Sequence, residues 1–378
     1  MPHMSVDQNT HDTNTQTAES GKVRRARKET FIAKYPRNLK LFVTALLLAV
    51  LIAPFFIETT QIPSQEEESE QQLETDYSAT PDTEFAPVKP TPALKEKIQF
   101  STAASALNDS EDRSITLTPA PNSLVTRESP DGSLPVVGRN GETSWQMYSR
   151  PFDKKDERPR IAFVLTGIGS SKELSDLAVT QISPSITLAI NPQAGSVSDW
   201  SSKARNNGHE ILLELPIEPF DYPKSDPGPG TLLSSMSEQE NSDRFLAFLR
   251  KTTGYVGVVP SQSSVFLTNP SKFANVLWHL KKRGLLLLYN NPNPSETIEG
   301  MSLEQGVPVA FMTVKLDNDL SVEGMQNALK QLETAALENG RAVGVASVNP
   351  LILTMLGDWS KTLAEKGIAL APVSAVTQ

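Results

Sequence analysis

Four histidines and no cysteine bound the chemistry open to this chain of 378 residues. A hydrolase that generates hydroxide near neutral pH on a bound cation needs imidazoles, thiolates or carboxylates converging on one point. His3 and His11 lie in a polar stretch ahead of an apolar run, His279 falls inside a helical pattern, and His209 opens a strand at the end away from the chemistry. None is placed to ligate, so the sequence predicts neither a metal nor another cofactor. Two carboxylates are the candidates for catalysis, Glu214 and Asp317. One positioned general base contributes roughly 10² to 10⁴ in rate, short of the 10⁶ or more that enzymes supply. Glu214 reads as a base or sugar-hydroxyl acceptor, or as a carboxylate bonded to loop N–H groups. Glu218, flanked by Pro216 and Pro219, reads mainly as an acceptor that fixes its own loop. Asp317, Asn318 and Asp319 invite a calcium reading, but no following Gly and Glu complete a twelve-residue loop. Capping of the next helix by Asp319 or Ser321 explains them better.

The elements that would position these groups repeat from Arg160 onward. A helical pattern ending at Gly is followed by a short apolar run at Gly208-HEILLEL, Gly254-YVGVV, Gly284-LLLLY, Gly306-VPVAF, Gly340-RAVGVA and Gly367-IALAPV. With IAFVL at 161–165 and SITLAI at 185–190, that makes eight strand candidates. Near-continuous apolar strands separated by helices mean a parallel sheet covered on both faces. No Gly-rich dinucleotide fingerprint follows the first strand. The fold class is therefore α/β, a closed or nearly closed and distorted (β/α) barrel of seven or eight parallel strands, with function expected at the C-terminal strand ends. Those ends carry Thr166, Glu214, Glu218, Ser261, Gln262, Tyr289, Asn290, Asn318, Ser347 and Asn349, the candidate groove. Most are neutral amides and hydroxyls, which hydrogen-bond sugars and make no nucleophile. Tyr289 reads equally as a platform for a sugar ring and as filler.

The block GHEILLELPIEPFDYPKSDPGPGTLL at 208–233 resembles the divergent polysaccharide deacetylase family of bacterial envelope proteins. That family has a Gly-His-Glu strand leading to Leu-Pro-Met-Glu-Pro and a Tyr-Pro…Pro-Gly-Pro loop. The resemblance continues through GYVGVV, KKRGLLLLYN, KLDN and AVGVASVNP and covers nearly all of 135–375. It implies a carbohydrate-deacetylase barrel with an acidic pair after the first strand and histidines at later strand ends. This chain departs at each of those places. Thr166 and Gly167 stand for the paired aspartates, Glu214 for a histidine before Leu-Pro, and Ser261 for the histidine of Asn-Asn-His-Met-Gly-Ser. Tyr289-Asn290 replaces Asp-Ser, and Ala346-Ser347-Val348-Asn349-Pro350 replaces Gly-His-Pro-His-Pro. Loss at five strand ends together predicts loss of the chemistry, leaving a module that binds envelope glycan or an envelope protein. A carbohydrate hydrolase rebuilt around Glu214 and Asp317, and a purely structural interaction module, are the alternatives.

Ahead of the barrel, Leu41–Ile57 is an uncharged apolar run of 17 residues, roughly 26 Å as a helix and at the short end of a bilayer span. Residues 1–40 hold a basic cluster from Lys22 to Lys40, while Glu58, Glu66, Glu67 and Glu68 follow the run. The bias predicts an uncleaved single-pass anchor at 41–57 in a bacterial inner membrane, with a cytoplasmic tail at 1–40 and everything later in the periplasm. Absence of cysteine agrees with an oxidising compartment. Residues 58–133, rich in Glu, Ser, Thr and Pro, read as a disordered acidic linker. Leu134, Val136, Trp145, Tyr148 and Phe152 predict a strap at 134–158 packed on the domain at 159–378. The formal charge is +4 over 1–57, −9 over 58–158 and −4 over 159–378, which disfavours nucleic-acid binding.

Overall fold

The computed structural model describes residues 115–291 and 293–378. The expected tail, the anchor at 41–57 and the linker up to residue 114 lie outside the described residues. Among those that are described, no helix is long and apolar enough to cross a membrane.

Each of the eight expected runs forms a strand. They are β3 (Arg160–Ile168), β4 (Thr187–Ile190), β5 (Ile211–Leu215), β6 (Gly257–Pro260), β7 (Leu286–Tyr289), β8 (Val309–Phe311), β10 (Arg341–Ser347) and β11 (Ala369–Ala371), with a short β9 (Val314–Lys315) in addition. All pair in parallel in the order β8-β7-β6-β5-β4-β3-β10-β9, and β11 pairs with the first residues of β3. The two end strands, β8 and β9, are consecutive in the chain, with only Met312 and Thr313 between them. The Met312 N–H donates to the Tyr289 carbonyl on β7, and the Thr313 N–H to the Val343 carbonyl on β10. Two residues span about 7 Å, so the sheet curls until its edges are joined by one crossing segment. This is the distorted barrel, seven or eight strands according to whether β8 and β9 count as one.

Side-chain alternation along the strands divides the core into two layers. Ala162, Val164, Ala189, Leu212, Leu286, Leu288, Ala310, Val343 and Val345 make an inner cluster of mostly small and medium residues. Their neighbours Ile161, Phe163, Leu165, Leu188, Ile190, Leu213 and Leu287 pack outward against the helices. Both faces are dry, which is why the strands read as unbroken apolar runs. The helices follow the period that this layer demands. In Pro270–Arg283, Phe273, Val276, Leu277 and Leu280 are buried at the spacing of one helical stripe. Asn269 caps its first turn, and Gly284 in the left-handed region (φ 62°) donates back to the Leu280 and Lys281 carbonyls.

The segment ahead of β3 plugs the N-terminal end of the barrel. A hairpin of β1 (Thr126–Arg127) and β2 (Leu134–Pro135) is antiparallel, and Val125 and Tyr148 join the inner cluster with Val373 and Val376 of the C-terminal tail. Residues 115–133, expected as linker, are thus part of the packed unit: Val125 is fully buried, and the Arg205 guanidinium donates to the Thr118, Tyr148 and Gly254 carbonyls. Composition missed this because two buried apolar residues, Leu117 and Val125, and a few backbone acceptors do not raise the hydrophobicity of a polar stretch. Glu210, just before β5 and on its inward side, fastens the same floor. It accepts from Arg150 N–H (3.0 Å), Ser374 N–H (3.1 Å), Ser374 Oγ (2.5 Å) and Thr187 Oγ1 (3.4 Å). Burial pushes its carboxyl above the ordinary value.

Candidate active-site mouth

At the opposite end, continuing the inward alternation of Val164 and Leu212 brings Thr166 and Glu214 to the mouth. Glu214 is 6% exposed, and its Oε1 accepts the Gly167 N–H at 2.5 Å. Because β4 lies between β3 and β5 in the sheet, this bond reaches past β4. Burial raises the Glu214 carboxyl to about 7, against the lowering effect of the Gly167 N–H. Desolvation disfavours the charged form, and a single backbone donor does not offset it.

The rim continues on the other side of β3. Ser347 is the register partner of Thr166, Val348 N–H donates to the Thr166 carbonyl at 2.8 Å, and Thr166 Oγ1 donates to the Ala346 carbonyl at 3.2 Å. Asp317 follows β9 and accepts the Ser347 N–H at 2.8 Å. Its other oxygen is buried without a hydrogen-bond partner, and the Lys315 ammonium stands 3.9 Å from it. Glu214, Gly167, Thr166, Ser347 and Asp317 therefore form one hydrogen-bonded strip. Ser261 and Asn290 lie beside each other after β6 and β7, where Asn290 Nδ2 donates to the Pro260 carbonyl at 2.8 Å. Ser261 Oγ and Asn290 Oδ1 are buried and have no partner. Such orphaned groups require an explanation, of which a bound polar ligand or water is the simplest.

The other candidates fall elsewhere. Tyr289 points away from the mouth: it is 1% exposed, its ring packed edge-on to Phe273 and tilted on Phe311. Strand alternation decides this, since Leu288 and Asn290 take the inward side. Tyr289 is helix-facing core and offers no platform for a sugar. Glu218 accepts the Ser234 N–H, and its carbonyl accepts from Ser264 Oγ, so it ties two loops. Gln262 is half-buried in the loop after β6, and Asn318 is exposed beside Asp317. Asn349 caps the helix Pro350–Thr362 through the Ile352 N–H. Asp319 accepts the Ser321 N–H, and Ser321 caps the helix Val322–Asn339. Both ring nitrogens of His209 lie within hydrogen-bonding distance of backbone carbonyls, those of Ile186 and Val179. Asn291, which sequence reading offered with Asn290 as a hydrogen-bonding neighbour of Tyr289 for a sugar ring, instead brackets the Ser264 backbone with two 2.7 Å bonds. Sequence reasoning assigned no role to Glu210; the available signal was a carboxylate two residues before an inward Leu212.

A profile of the divergent polysaccharide deacetylase family matches residues 163–377. The chain belongs to that family. The crystal structure of an uncharacterised protein, ATU2773 of Agrobacterium tumefaciens C58, is 35% identical with a TM-score of 0.62, over 65% of this chain and 99% of that one. An uncharacterised protein of Haemophilus influenzae is 21% identical over 206 residues, 54% of this chain and 72% of the relative. The uncharacterised YibQ of Escherichia coli K12 is 22% identical over 201 residues, 52% of this chain and 61% of its own length.

In a polysaccharide deacetylase fold this mouth is where an acid pair and imidazoles would hold a cation. The donor set here does not fit one. At the mouth Thr166, Gly167 and Ser261 offer neutral groups, and Glu214 directs one oxygen to the Gly167 N–H. Among the described residues, no three His, Cys, Asp or Glu side chains are grouped so that they could hold a metal ion.

Proposed function

We propose that this member of the divergent polysaccharide deacetylase family is a membrane-anchored periplasmic protein that binds cell-envelope glycan at the barrel mouth without cleaving it. The observation that carries the reading is the rim itself, where Thr166, Ser261, Asn290 and Ser347 present hydrogen-bonding groups without acid–imidazole chemistry. Ser347 is exposed and Ser261 half-buried at this rim, and Ser261 Oγ and Asn290 Oδ1 have no partner among the described residues. The family's link to carbohydrate supplies the ligand class. The apolar run at 41–57 with its basic flank supports the anchor and the topology. Titration of the full-length protein with acetylated chito-oligosaccharides and peptidoglycan fragments tests this: saturable binding without acetate release is expected, and no saturation at millimolar ligand defeats it.

One observation favours a second reading, a hydrolase rebuilt around Glu214 and Asp317. A carboxyl titrating at about 7 is matched to general-base work at neutral pH. This version requires acetate release that Glu214→Gln abolishes.

A further inference from the structure

On the flank of the barrel, away from the C-terminal strand ends that form the mouth, the β1–β2 hairpin lies against two helices, Glu238–Leu249 and Pro270–Arg283, the second of which ends just before β7 begins. Between them is a groove of about 530 Å³, lined among others by Arg127, Val137, Asp243, Trp278, Lys282 and Arg283. Its volume falls in the range of small-ligand sites. The charged lining is three cations against one carboxylate, on a chain whose net charge is −9. Asp243 is further engaged by Gln239, whose Nε2 donates to it at 3.0 Å.

Folding has gathered these cations rather than dispersed them. Arg283 closes its helix and donates through Nη1 to the Pro135 carbonyl at 3.4 Å, while β1 brings Arg127 alongside. The hairpin turn sits on Arg250, whose Cβ would be 3.3 Å from a side chain at Gly132. Burial, then the neighbouring Arg250 and Arg127, hold the Arg283 guanidinium below its ordinary pKa. The Nε atoms of Arg250 and Arg283 are both buried without an acceptor. Like charges collected in a concave, partly dry place create a field that concentrates anions, and the exposed Arg127 guanidinium among them suits the oxygens of phosphate or carboxylate.

A bare anion site would not need the fourth feature. Trp278 is 50% exposed at the rim, with Lys282 Nζ 5.5 Å from its ring centroid and His279 edge-on at 4.8 Å. His279 itself is buried against Phe245 and bonded to Ser242 Oγ at 2.8 Å, so it steadies the indole. An exposed aromatic held in place beside hydrogen-bonding and cationic groups offers an apolar face for a sugar ring. We propose that this groove is a second ligand site, for a saccharide bearing a phosphate or carboxylate group.

The test titrates full-length protein in neutral detergent with N-acetylglucosamine 1-phosphate, and separately with N-acetylglucosamine, inorganic phosphate and dihexanoylphosphatidylglycerol. Saturable binding of the sugar phosphate is expected, weakened by added salt. Arg127→Gln, at an exposed position, should weaken it about tenfold through loss of one charge-assisted contact. Trp278→Ala should also weaken it severalfold, and Glu214→Gln at the mouth should leave it unchanged. No saturation at roughly tens of millimolar sugar phosphate overturns the proposal. Equal binding of inorganic phosphate indifferent to Trp278→Ala, or preference for the lipid, overturns it as well. Loss of binding in Glu214→Gln with no effect of Arg127→Gln would move the ligand to the mouth, overturning the groove and leaving the mouth reading intact.

Discussion

The Gly167 N–H and the Glu214 carboxylate meet at 2.5 Å across the inner side of β4. One residue replaces half of an acid pair expected from the family, the other a histidine. Groups that would have shared a cation in a deacetylase satisfy each other directly, and the bond joins β3 to β5 at the mouth. A carboxylate so enclosed is costly in its charged form, and stability measurements can read that cost.

Glu214→Gln should stabilise the protein at alkaline pH. The folded-state carboxyl titrates at about 7 against 4.5 for the free group, so the native state binds more protons between those values and stability falls as pH rises through that window. The full effect, about 3 kcal/mol, is present above pH 7 and absent below 4.5. Glutamine keeps an acceptor for Gly167 and removes the titration. Thermal unfolding at pH 8 should show the variant melting several degrees above wild type, with the gap closing at pH 4. An unchanged gap at both pH values would mean that Glu214 is solvated and charged.

Chelation should leave the fold and its melting temperature unchanged, because a mouth lined by Thr166, Gly167 and Ser261 has no ligand set for a cation to stabilise. Elemental analysis of the purified protein is the direct check. Stoichiometric zinc, lost with EDTA together with several degrees of melting temperature, would overturn the binding-only reading.

Replacing Glu210 with alanine should cost upward of about 3 kcal/mol, since four donors from Arg150, Ser374 and Thr187 lose their acceptor. The loss should be local as well as global. Hydrogen exchange should quicken first at the Arg150 and Ser374 amides, because these donate to Glu210 and join the N-terminal segment to the C-terminal tail through it. Uniform exchange across the barrel would argue against a floor latch.

A chain begun at residue 134 should be less stable than one begun at 115 by about 3 kcal/mol. The shorter chain lacks Val125, worth about 1.5 kcal/mol when fully buried, and deprives Arg205 of the Thr118 carbonyl and the Tyr148 hydroxyl of the Asn122 N–H. Denaturant midpoints of the two chains decide the matter, and equal midpoints would return 115–133 to the linker.

Much of the barrel was legible because its signals are local. Gly208, Gly254, Gly284, Gly306, Gly340 and Gly367, named from sequence as helix-to-strand junctions, all have positive φ, which side chains resist and glycine does not. Apolar runs between them marked strands dry on both faces. The chemical character of the strand ends was also readable, since residue type fixes what Thr166, Ser261, Asn290 and Ser347 can donate or accept.

Which of those end residues face one another was not readable. Tyr289 and Asn290 are adjacent in the chain, yet one lies among the helices and the other at the mouth, because strand alternation is fixed only when the sheet curls and assigns an inside. The same closure brought Glu214 to Gly167, Asp317 to Ser347, and Arg127 to Arg283 over more than 150 intervening residues. Residue type sets what a side chain can donate, accept or ionise. Whether it meets a partner, and at what desolvation, depends on the long-range register that only tertiary packing imposes.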